Sequence, residues 1–350
     1  MDAQKVTEAC HRIESLYYET HGKCYVSFSG GKDSTVLLAL IKLCEEIYTI
    51  PQGSIPAVFS NTGIELGVTV DFVKWVRDSK WYSNVQIIRP DTSFDAVLKK
   101  EGKPILSKLK SEYLNRWHRG VRTRTVYQNM IDGKTNSGRR TWKLKLADKD
   151  MHILNDDFPI TISEKCCKYL KKKPFEKYVA ETQQGGVLTG LRAGEGGARE
   201  LNTTVRVKNG GQPCTSINKD GFIKKSPLID WTEQDLEEFV KEYHVPLSKA
   251  YTEYGFRRTG CMACPFSRQL SQDLKYLYDH EPNRYKASMY WLKDVYIAQN
   301  VVLPFDASYE REREREWRVR YEPMRQEMLR KYRPNSKLIK DAEQMVLFDE

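Results

Sequence analysis

A short polar loop, SFSGGKDS at residues 27–34, follows an apolar run and is the first candidate for chemistry. Its glycines allow a ligand to approach the backbone closely, and a strand that turns into a helix here points several N–H groups outward. A helix end alone contributes only about 0.3 to 1 kcal/mol at an exposed site. Lys32 and the hydroxyl groups of Ser29 and Ser34 would supply the remaining binding. The pattern therefore predicts a phosphate-binding loop.

This loop differs from a Walker A sequence. That motif has a glycine five residues before its Gly-Lys pair, and this chain has Val26 there. The loop is therefore not a Walker A loop, and phosphate binding remains the prediction for it.

Four of the eight cysteines form two local pairs, Cys166-Cys167 and Cys261-x-x-Cys264, with 93 residues between the pairs. Four thiolates can hold zinc or a 4Fe-4S cluster. Adjacent cysteines suit a small zinc site poorly, and buried thiols without a metal are the third alternative. Cys214 belongs to neither pair. It is a candidate nucleophile or sulfur carrier, although a single cysteine usually serves packing.

The elements around these motifs alternate between short apolar runs and helical periodicity. Strands are predicted within residues 24–28, 55–63, 84–91 and 186–193, and helices at 7–18, 34–46 and 69–79. A later helix is capped by Thr232, with Asp235 at its third position. The alternation predicts an α/β fold with a mostly parallel sheet, followed by a helical C-terminal region.

Composition limits the class of protein. The 350-residue chain is long enough for an α/β domain with additions, and no apolar run reaches the roughly 18 residues that span a bilayer. The N-terminus lacks the apolar centre of a secretory signal, so a cytoplasmic protein with no membrane partner is expected. In that compartment the cysteines are not expected to form disulfides.

One basic segment accounts for the whole net charge of +10. Residues 99–149 contain 15 Lys and Arg against four acids, together with Tyr113, Trp117, Tyr127 and Trp142. Cations mixed with aromatic side chains favour contact with a nucleic-acid backbone and stacking of unpaired bases. The alternative is a solvated, partly disordered insertion.

The motifs together resemble those of a known family. SGGKDS looks like the signature of the PP-loop ATP pyrophosphatase superfamily. VFSNTGIEL and LTGLRAGEGGAR are similar to later motifs of its phosphoadenosine phosphosulfate (PAPS) reductase family, and the resemblance runs from about residue 23 to about residue 268. It implies an adenine nucleotide alpha hydrolase-like fold, a twisted and mostly parallel sheet flanked by helices. The nucleotide would lie beyond the carboxyl ends of the strands.

The resemblance also implies roles for single residues. The loop residues would contact phosphate, with Lys32 and Asp33 as catalytic candidates beside Cys214, and four other residues would line the nucleotide site. The loop residues are Ser29, Gly30, Gly31, Lys32, Asp33 and Ser34, and the others are Thr62, Gly63, Arg192 and Arg199. Two arginines in a glycine-rich loop fit bidentate binding of an anion, whereas the alternative for each is a surface ion pair.

The cysteine pairs are similar to those of the adenylyl-sulfate (APS) reductase branch, in which they ligate one 4Fe-4S cluster. By this resemblance Cys166, Cys167, Cys261 and Cys264 would hold the cluster, with zinc less favoured and Mg²⁺ a further candidate cofactor. One departure concerns the nucleophile, because the reductases use a cysteine in a C-terminal tail and no cysteine follows Cys264 here. Either Cys214 or a partner would then supply the thiol, or the protein is not a sulfonucleotide reductase.

The function implied is sulfur metabolism or sulfur transfer on an adenine nucleotide, which would be ATP, PAPS or APS. A sulfur donor or a thioredoxin-like reductant would be a partner. One alternative resembles DNA phosphorothioation or tRNA thiolation, in which ATP adenylylates a nucleic acid before sulfur is transferred. Another is a nucleotide-binding or nucleic-acid-binding module without turnover.

Four segments are expected along the chain. Residues 1–98 and 150–268 would form the two parts of the PP-loop domain, and the second part would carry the cysteine pairs. Residues 99–149 would be a basic insertion, and residues 269–350 a helical C-terminal region. No feature of the sequence indicates an oligomeric state.

Overall fold

The computed structural model describes residues 2–48, 50–135, 137–140, 143–195, 204–205, 207–208 and 210–339. The chain divides into two compact units. The first consists of Met1–Asp91 and Tyr169–Cys261, and the second of Thr92–Lys168 and Met262–Glu350. The four-segment organisation expected from the sequence stays a prediction.

Six short strands form the sheet of the first unit. In chain order they are β1 (Cys24–Ser27), β2 (Ala57–Ser60), β3 (Val85–Ile88), β4 (Gly186–Leu188), β5 (Thr215–Ile217) and β6 (Ile223–Lys225). Their order across the sheet is β3-β2-β1-β4-β6-β5, and all neighbours are parallel except β5 and β6. The predicted α/β class and mostly parallel sheet are confirmed. The β5–β6 hairpin is absent from the prediction, because strands of three residues carry too short a pattern.

Among the described elements, α-helices contain the most residues. In chain order they are α1 (Ala3–Glu19), α2 (Lys32–Ile47), α3 (Gly67–Asp78), α4 (Phe94–Glu101), α5 (Lys108–His118), α6 (Arg124–Tyr127), α7 (Lys173–Thr182), α8 (Glu233–Glu242), α9 (Lys249–Thr252), α10 (Leu270–His280), α11 (Pro282–Ala298), α12 (Ala307–Glu316) and α13 (Glu322–Tyr332). In the described ranges, no helix is both long enough and apolar enough to cross a membrane.

Alternation along β1 explains why helices cover both faces of the sheet. Cys24 and Val26 are buried in the main core, to which α1, α2, α3 and α8 also contribute. Tyr25 points to the opposite face, where its ring stacks against Phe175 of α7 with 5.8 Å between the centroids. The first three residues of β1 are buried and apolar, as expected for a central parallel strand that is covered on both faces.

Helix α8 begins as the sequence predicts. Thr232 is the N-cap, its Oγ1 accepts from the Asp235 N–H at 3.1 Å, and the Asp235 carboxylate accepts from the Thr232 N–H at 2.7 Å. A cap of this kind contributes about 1 kcal/mol. It fixes the position of Glu233, the first residue of the helix, and so the point from which its side chain projects.

The second unit is mainly helical and contains α4 to α6, a 3₁₀ segment at Asp148–Leu154, and α10 to α13. Leu114, Trp117 and Met130 come from the basic segment and are buried here. Trp117 Nε1 donates to the Leu154 carbonyl at 2.9 Å. Part of residues 99–149 is therefore folded into a core, whereas residues 119–124 are exposed, and the alternative of a partly disordered insertion stays a prediction.

Candidate functional site

The candidate site lies where β1 ends and α2 begins. Gly30 has a φ of +69°, in the left-handed region that favours glycine, and a Cβ there would lie 2.9 Å from a methyl group of Thr69. Ser29 Oγ and Ser34 Oγ are 3.0 Å apart, and Ser34 Oγ donates to the Gly31 carbonyl at 2.9 Å. The loop is therefore folded tightly against the start of α2, where the first N–H groups of the helix lack intrahelical partners.

Four charged side chains form a network beside this loop. Arg192 Nε donates to Asp33 Oδ1 at 2.6 Å, and Arg192 Nη2 donates to Glu233 Oε2 at 2.7 Å. Lys32 Nζ donates to the other oxygen of the Glu233 carboxylate. One carboxylate therefore bridges the two described cations that the sequence assigns to the nucleotide.

The cations of this network are more buried than its carboxylates. The exposed fraction of the side chain is 9% for Arg192 and 14% for Lys32, but 26% for Asp33 and 53% for Glu233. Burial lowers the pKa of Lys32, the Asp33 carboxylate opposes that shift, and the Arg192 guanidinium adds to it. The site therefore contains two largely buried cations, Lys32 and Arg192, which are paired with the solvent-exposed carboxylate of Glu233.

Gly190 allows the segment after β4 to approach the loop. A Cβ at this position would lie 2.9 Å from the backbone C and O of Asp33 and 3.0 Å from the N of Ser34. A side chain there would collide with backbone atoms, which cannot move aside as a flexible side chain can. Glycine at this position therefore lets the chain bring Arg192, two residues later, to the start of α2.

Tyr251 also contacts the loop, although no sequence pattern marks it. Its hydroxyl lies 2.9 Å from Thr259 Oγ1 and forms a hydrogen bond with the backbone of Lys32. A Cβ on Gly31 would lie 3.3 Å from the same hydroxyl. Burial raises the pKa of Tyr251, so the hydroxyl stays neutral beside the loop. A tyrosine with an apolar body and one polar tip is equally common in cores, and sequence reasoning therefore passes over it.

The predicted Thr62-Gly63 pair forms a turn after β2. Thr62 Oγ1 donates to Glu65 Oε1 at 2.6 Å, and the Thr62 N–H donates to Glu65 Oε2 at 3.0 Å. Gly63 has a φ of +81°, which favours glycine, and its N–H donates to Asn61 Oδ1 at 3.2 Å. The turn is thus held by the buried carboxylate of Glu65, a residue that the sequence analysis does not single out.

A cavity of about 740 Å³ lies beside the loop, within the first unit. Phe59, Phe175 and Phe222 contribute aromatic surface to its wall, and Lys172 contributes a cation. Of the predicted nucleotide-site residues that the structure describes, Ser29 is the one in this wall. A cavity of this size, with aromatic rings and several charged and polar side chains in its wall, suits a nucleoside-sized ligand.

Cys214 precedes β5 at the edge of the sheet. Because β5 is antiparallel to β6, with Thr215 opposite Lys225, this end of β5 lies level with the carboxyl ends of the parallel strands. The Cys214 carbonyl accepts from the Ser226 N–H at 2.8 Å, and the half-buried thiol is 3.5 Å from Thr215 Oγ1. Cys214 therefore lies beside the carboxyl ends of the parallel strands, as the loop does. Its catalytic role stays a prediction.

The four predicted metal ligands are divided between the two units. Cys261 belongs to the first unit, and Cys166, Cys167 and Cys264 belong to the second. Cys166 is buried and the other three are half-buried. Among the residues whose positions are described, no three or more His, Cys, Asp or Glu side chains are grouped so that they could hold a metal ion. The ligand set for a 4Fe-4S cluster or a zinc ion therefore stays a prediction from the spacing of the cysteines.

The remaining predicted residues give little support to a nucleic-acid surface. Trp117 is only 1% exposed, so its proposed role in base stacking is wrong. Tyr127 packs edge-on against Tyr332 with 5.9 Å between the ring centroids. Arg199, proposed for the nucleotide, and Trp142, proposed for stacking, lie outside the described residues.

Known proteins are similar to the chain in sequence over limited lengths. An adenosine 5′-phosphosulfate reductase of Allochromatium vinosum is 26% identical over 110 residues, which are 31% of this chain and 38% of that protein. A phosphoadenosine 5′-phosphosulfate reductase of Xylella fastidiosa is 30% identical over 76 residues, which are 22% of this chain and 27% of that protein. The chain thus spans less than two fifths of the length of these curated relatives.

A solved structure and a family model extend the comparison. A phosphoadenylyl-sulfate (PAPS) reductase from Candida auris, solved as a phosphate complex, aligns with a TM-score of 0.38 and 16% identity, over 68% of this chain and 81% of that chain. The model of the phosphoadenosine phosphosulfate reductase domain matches residues 23–142 and 121–267. These ranges include the loop, the Thr62-Gly63 turn, Arg192 and both cysteine pairs. The chain therefore belongs to the phosphoadenosine phosphosulfate reductase family of the PP-loop superfamily.

Proposed function

We propose that the protein is a sulfonucleotide reductase-like enzyme that binds APS or PAPS at the loop of residues 29–34. The observation that carries this proposal is the pair of buried cations, Lys32 and Arg192, fixed beside the loop. The adjoining cavity offers room for the nucleoside. The family membership and the reductases among the relatives support sulfur as the transferred element.

We assign each part of the nucleotide to a group of residues in the site. The N–H groups at the start of α2 and the Lys32 ammonium would bind the phosphate that carries the sulfate. The guanidinium of Arg192 would donate hydrogen bonds to the same phosphate, because Asp33 accepts from Arg192 Nε and thereby orients the group. The rings of Phe175 and Phe222 would pack against the adenosine. Lys172 could contact a second phosphate, such as the 3′-phosphate of PAPS.

The proposed reaction reduces the sulfate by transfer to a thiol. A thiolate attacks the sulfur atom, the bond between sulfur and the phosphate oxygen breaks, and the adenosine phosphate leaves with the bonding electrons. The first step leaves a thiosulfonate, in which the sulfonate is bound to the sulfur of the first thiol. A second thiolate attacks that thiol-derived sulfur, sulfite leaves with the bonding electrons, and the two thiols end as a disulfide. Lys32 and Arg192 would stabilise the charge that develops on the leaving phosphate.

The source of the thiols is the least constrained part of this proposal. Cys214 is one candidate nucleophile, since it lies at the edge of the sheet that carries the loop. A thioredoxin-like partner is the other source, and it would also return the disulfide to thiols. The 4Fe-4S cluster and Mg²⁺ are hypotheses drawn from the motifs, and no step above is assigned to either.

Turnover with a panel of nucleotides tests the proposal. The protein would be incubated with PAPS, APS or ATP together with thioredoxin and dithiothreitol, and sulfite and pyrophosphate would be quantified. We expect sulfite from APS or PAPS, lost in Lys32→Ala and kept in Lys23→Ala, whose exposed side chain precedes β1. Pyrophosphate from ATP without sulfite would favour adenylylation of an acceptor instead. Nucleotide binding without any product would leave a binding module.

A further inference from the structure

We infer that Glu233 is a specificity-determining residue of the phosphate site, because its carboxylate competes with the ligand for Lys32 and Arg192. The inference rests on the proposed function, in which these cations bind phosphate. Each oxygen of the Glu233 carboxylate accepts from one of the two cations. A phosphate held by both cations needs the same donors, so the two anions exclude each other. The site thereby favours ligands whose charge exceeds that of a carboxylate.

The surroundings fix the cations and leave the carboxylate replaceable. Arg192 is held from a second side by Asp33, and its side chain is 9% exposed. The Lys32 side chain is 14% exposed, whereas that of Glu233 is 53% exposed and projects from the first residue of α8. An ion pair with so exposed a carboxylate is weak, because solvent screens it. A phosphate can therefore displace the Glu233 carboxylate when the Glu233 side chain alone changes its conformation and both cations stay in place.

The start of α8 does not depend on Glu233. The capping box is formed by Thr232 and Asp235, whose contacts leave the Glu233 side chain out. Glu237 lies one turn further along the same helix, and its charge also acts on Lys32. Glu237→Gln therefore makes the same change in net charge as Glu233→Gln but leaves the bridging carboxylate intact, and it is the matched control.

Calorimetry in magnesium-free buffer tests the competition, with inorganic pyrophosphate, PAPS and adenosine as the probes. We expect Glu233→Gln to bind pyrophosphate and PAPS about two- to fivefold more tightly than wild type, the range expected for loss of one exposed ionic competitor. Glu233→Asp, which keeps the charge, should stay closer to wild type. Glu237→Gln should change either affinity by less than about twofold. Adenosine, which carries no phosphate, should bind all four proteins equally.

The outcomes separate this inference from the proposed function. Unchanged affinity for pyrophosphate in Glu233→Gln, or no binding by either protein, would overturn the competition. Weaker binding would overturn it as well and would show that Glu233 holds the cations in place for the ligand. A wild type that forms no sulfite, combined with tighter pyrophosphate binding by Glu233→Gln, would reject the reductase proposal alone.

Discussion

Replacing Lys32 with alanine separates a role in binding from a role in folding. The ammonium pairs with Glu233, whose side chain is 53% exposed. An ion pair with such an exposed partner contributes about 0 to 1 kcal/mol to stability. We therefore expect Lys32→Ala to lower the free energy of unfolding by less than about 1 kcal/mol.

The expected loss of nucleotide affinity is larger. A hydrogen bond from an ammonium to a phosphate contributes about 1.5 to 3 kcal/mol, and each 1.4 kcal/mol changes the Kd about tenfold. Lys32→Ala should therefore weaken PAPS binding about 10- to 150-fold. Arg192 stays fixed by Asp33 in the variant, so binding should weaken rather than vanish.

The assay pairs calorimetric titration of PAPS with urea unfolding followed by tryptophan fluorescence. Lys23→Ala is the control, because Lys23 is exposed and precedes β1, at the end of the strand opposite the loop. It should change neither quantity. If Lys32→Ala binds PAPS or APS as tightly as a wild type that binds it, the assignment of the loop to phosphate is refuted.

Further predictions concern the backbone contact, the pH dependence and the cysteines. Gly190→Ala should lower the free energy of unfolding by about 1 to 3 kcal/mol and weaken PAPS binding, because its Cβ would overlap the backbone of the loop. Gly194→Ala, with nothing within 4 Å of the added atom, is its control, and equal urea midpoints would contradict the contact. Because the pKa of Lys32 lies below its ordinary value of 10.5, affinity for PAPS should fall as the pH rises toward that value, and Lys32→Arg should show a flatter profile in calorimetry. The spacing of the cysteines predicts about four irons per chain in anaerobically purified protein, and this iron should be lost in Cys261→Ser but kept in Cys214→Ser. Stoichiometric zinc without iron speaks against the cluster.

The elements next to the loop could be predicted because their signals are local. The strand expected at 24–28 is found as Cys24–Ser27, and the helix expected at 34–46 is found as Lys32–Ile47. The cap of α8 at Thr232 and Asp235 is likewise found where its sequence places it. An apolar run, a glycine turn and a capping box each act within a few residues, so their patterns are visible in the chain itself.

The contacts that complete the site could not be predicted in the same way. Glu233 is 201 residues from Lys32 in the chain, and Tyr251 reaches the loop from another helix. In the sequence alone, Glu233 looks like an ordinary solvated glutamate and Tyr251 like an ordinary core tyrosine. Only the fold brings the two side chains to the loop. Trp117 shows the converse error, since a tryptophan among cations resembles a stacking surface but is buried against Leu154.

The central claim is that the loop after β1 binds the phosphate of an adenine nucleotide whose nucleoside occupies the adjoining cavity. The most direct test is a crystal structure with adenosine 3′,5′-bisphosphate, the product that PAPS reduction would leave. The account predicts the 5′-phosphate within about 3 Å of the N–H groups at the start of α2, of Lys32 Nζ and of the Arg192 guanidinium, with the adenosine between Phe175 and Phe222. A nucleotide bound elsewhere, with Lys32 and Arg192 making no contact with its phosphates, would contradict it.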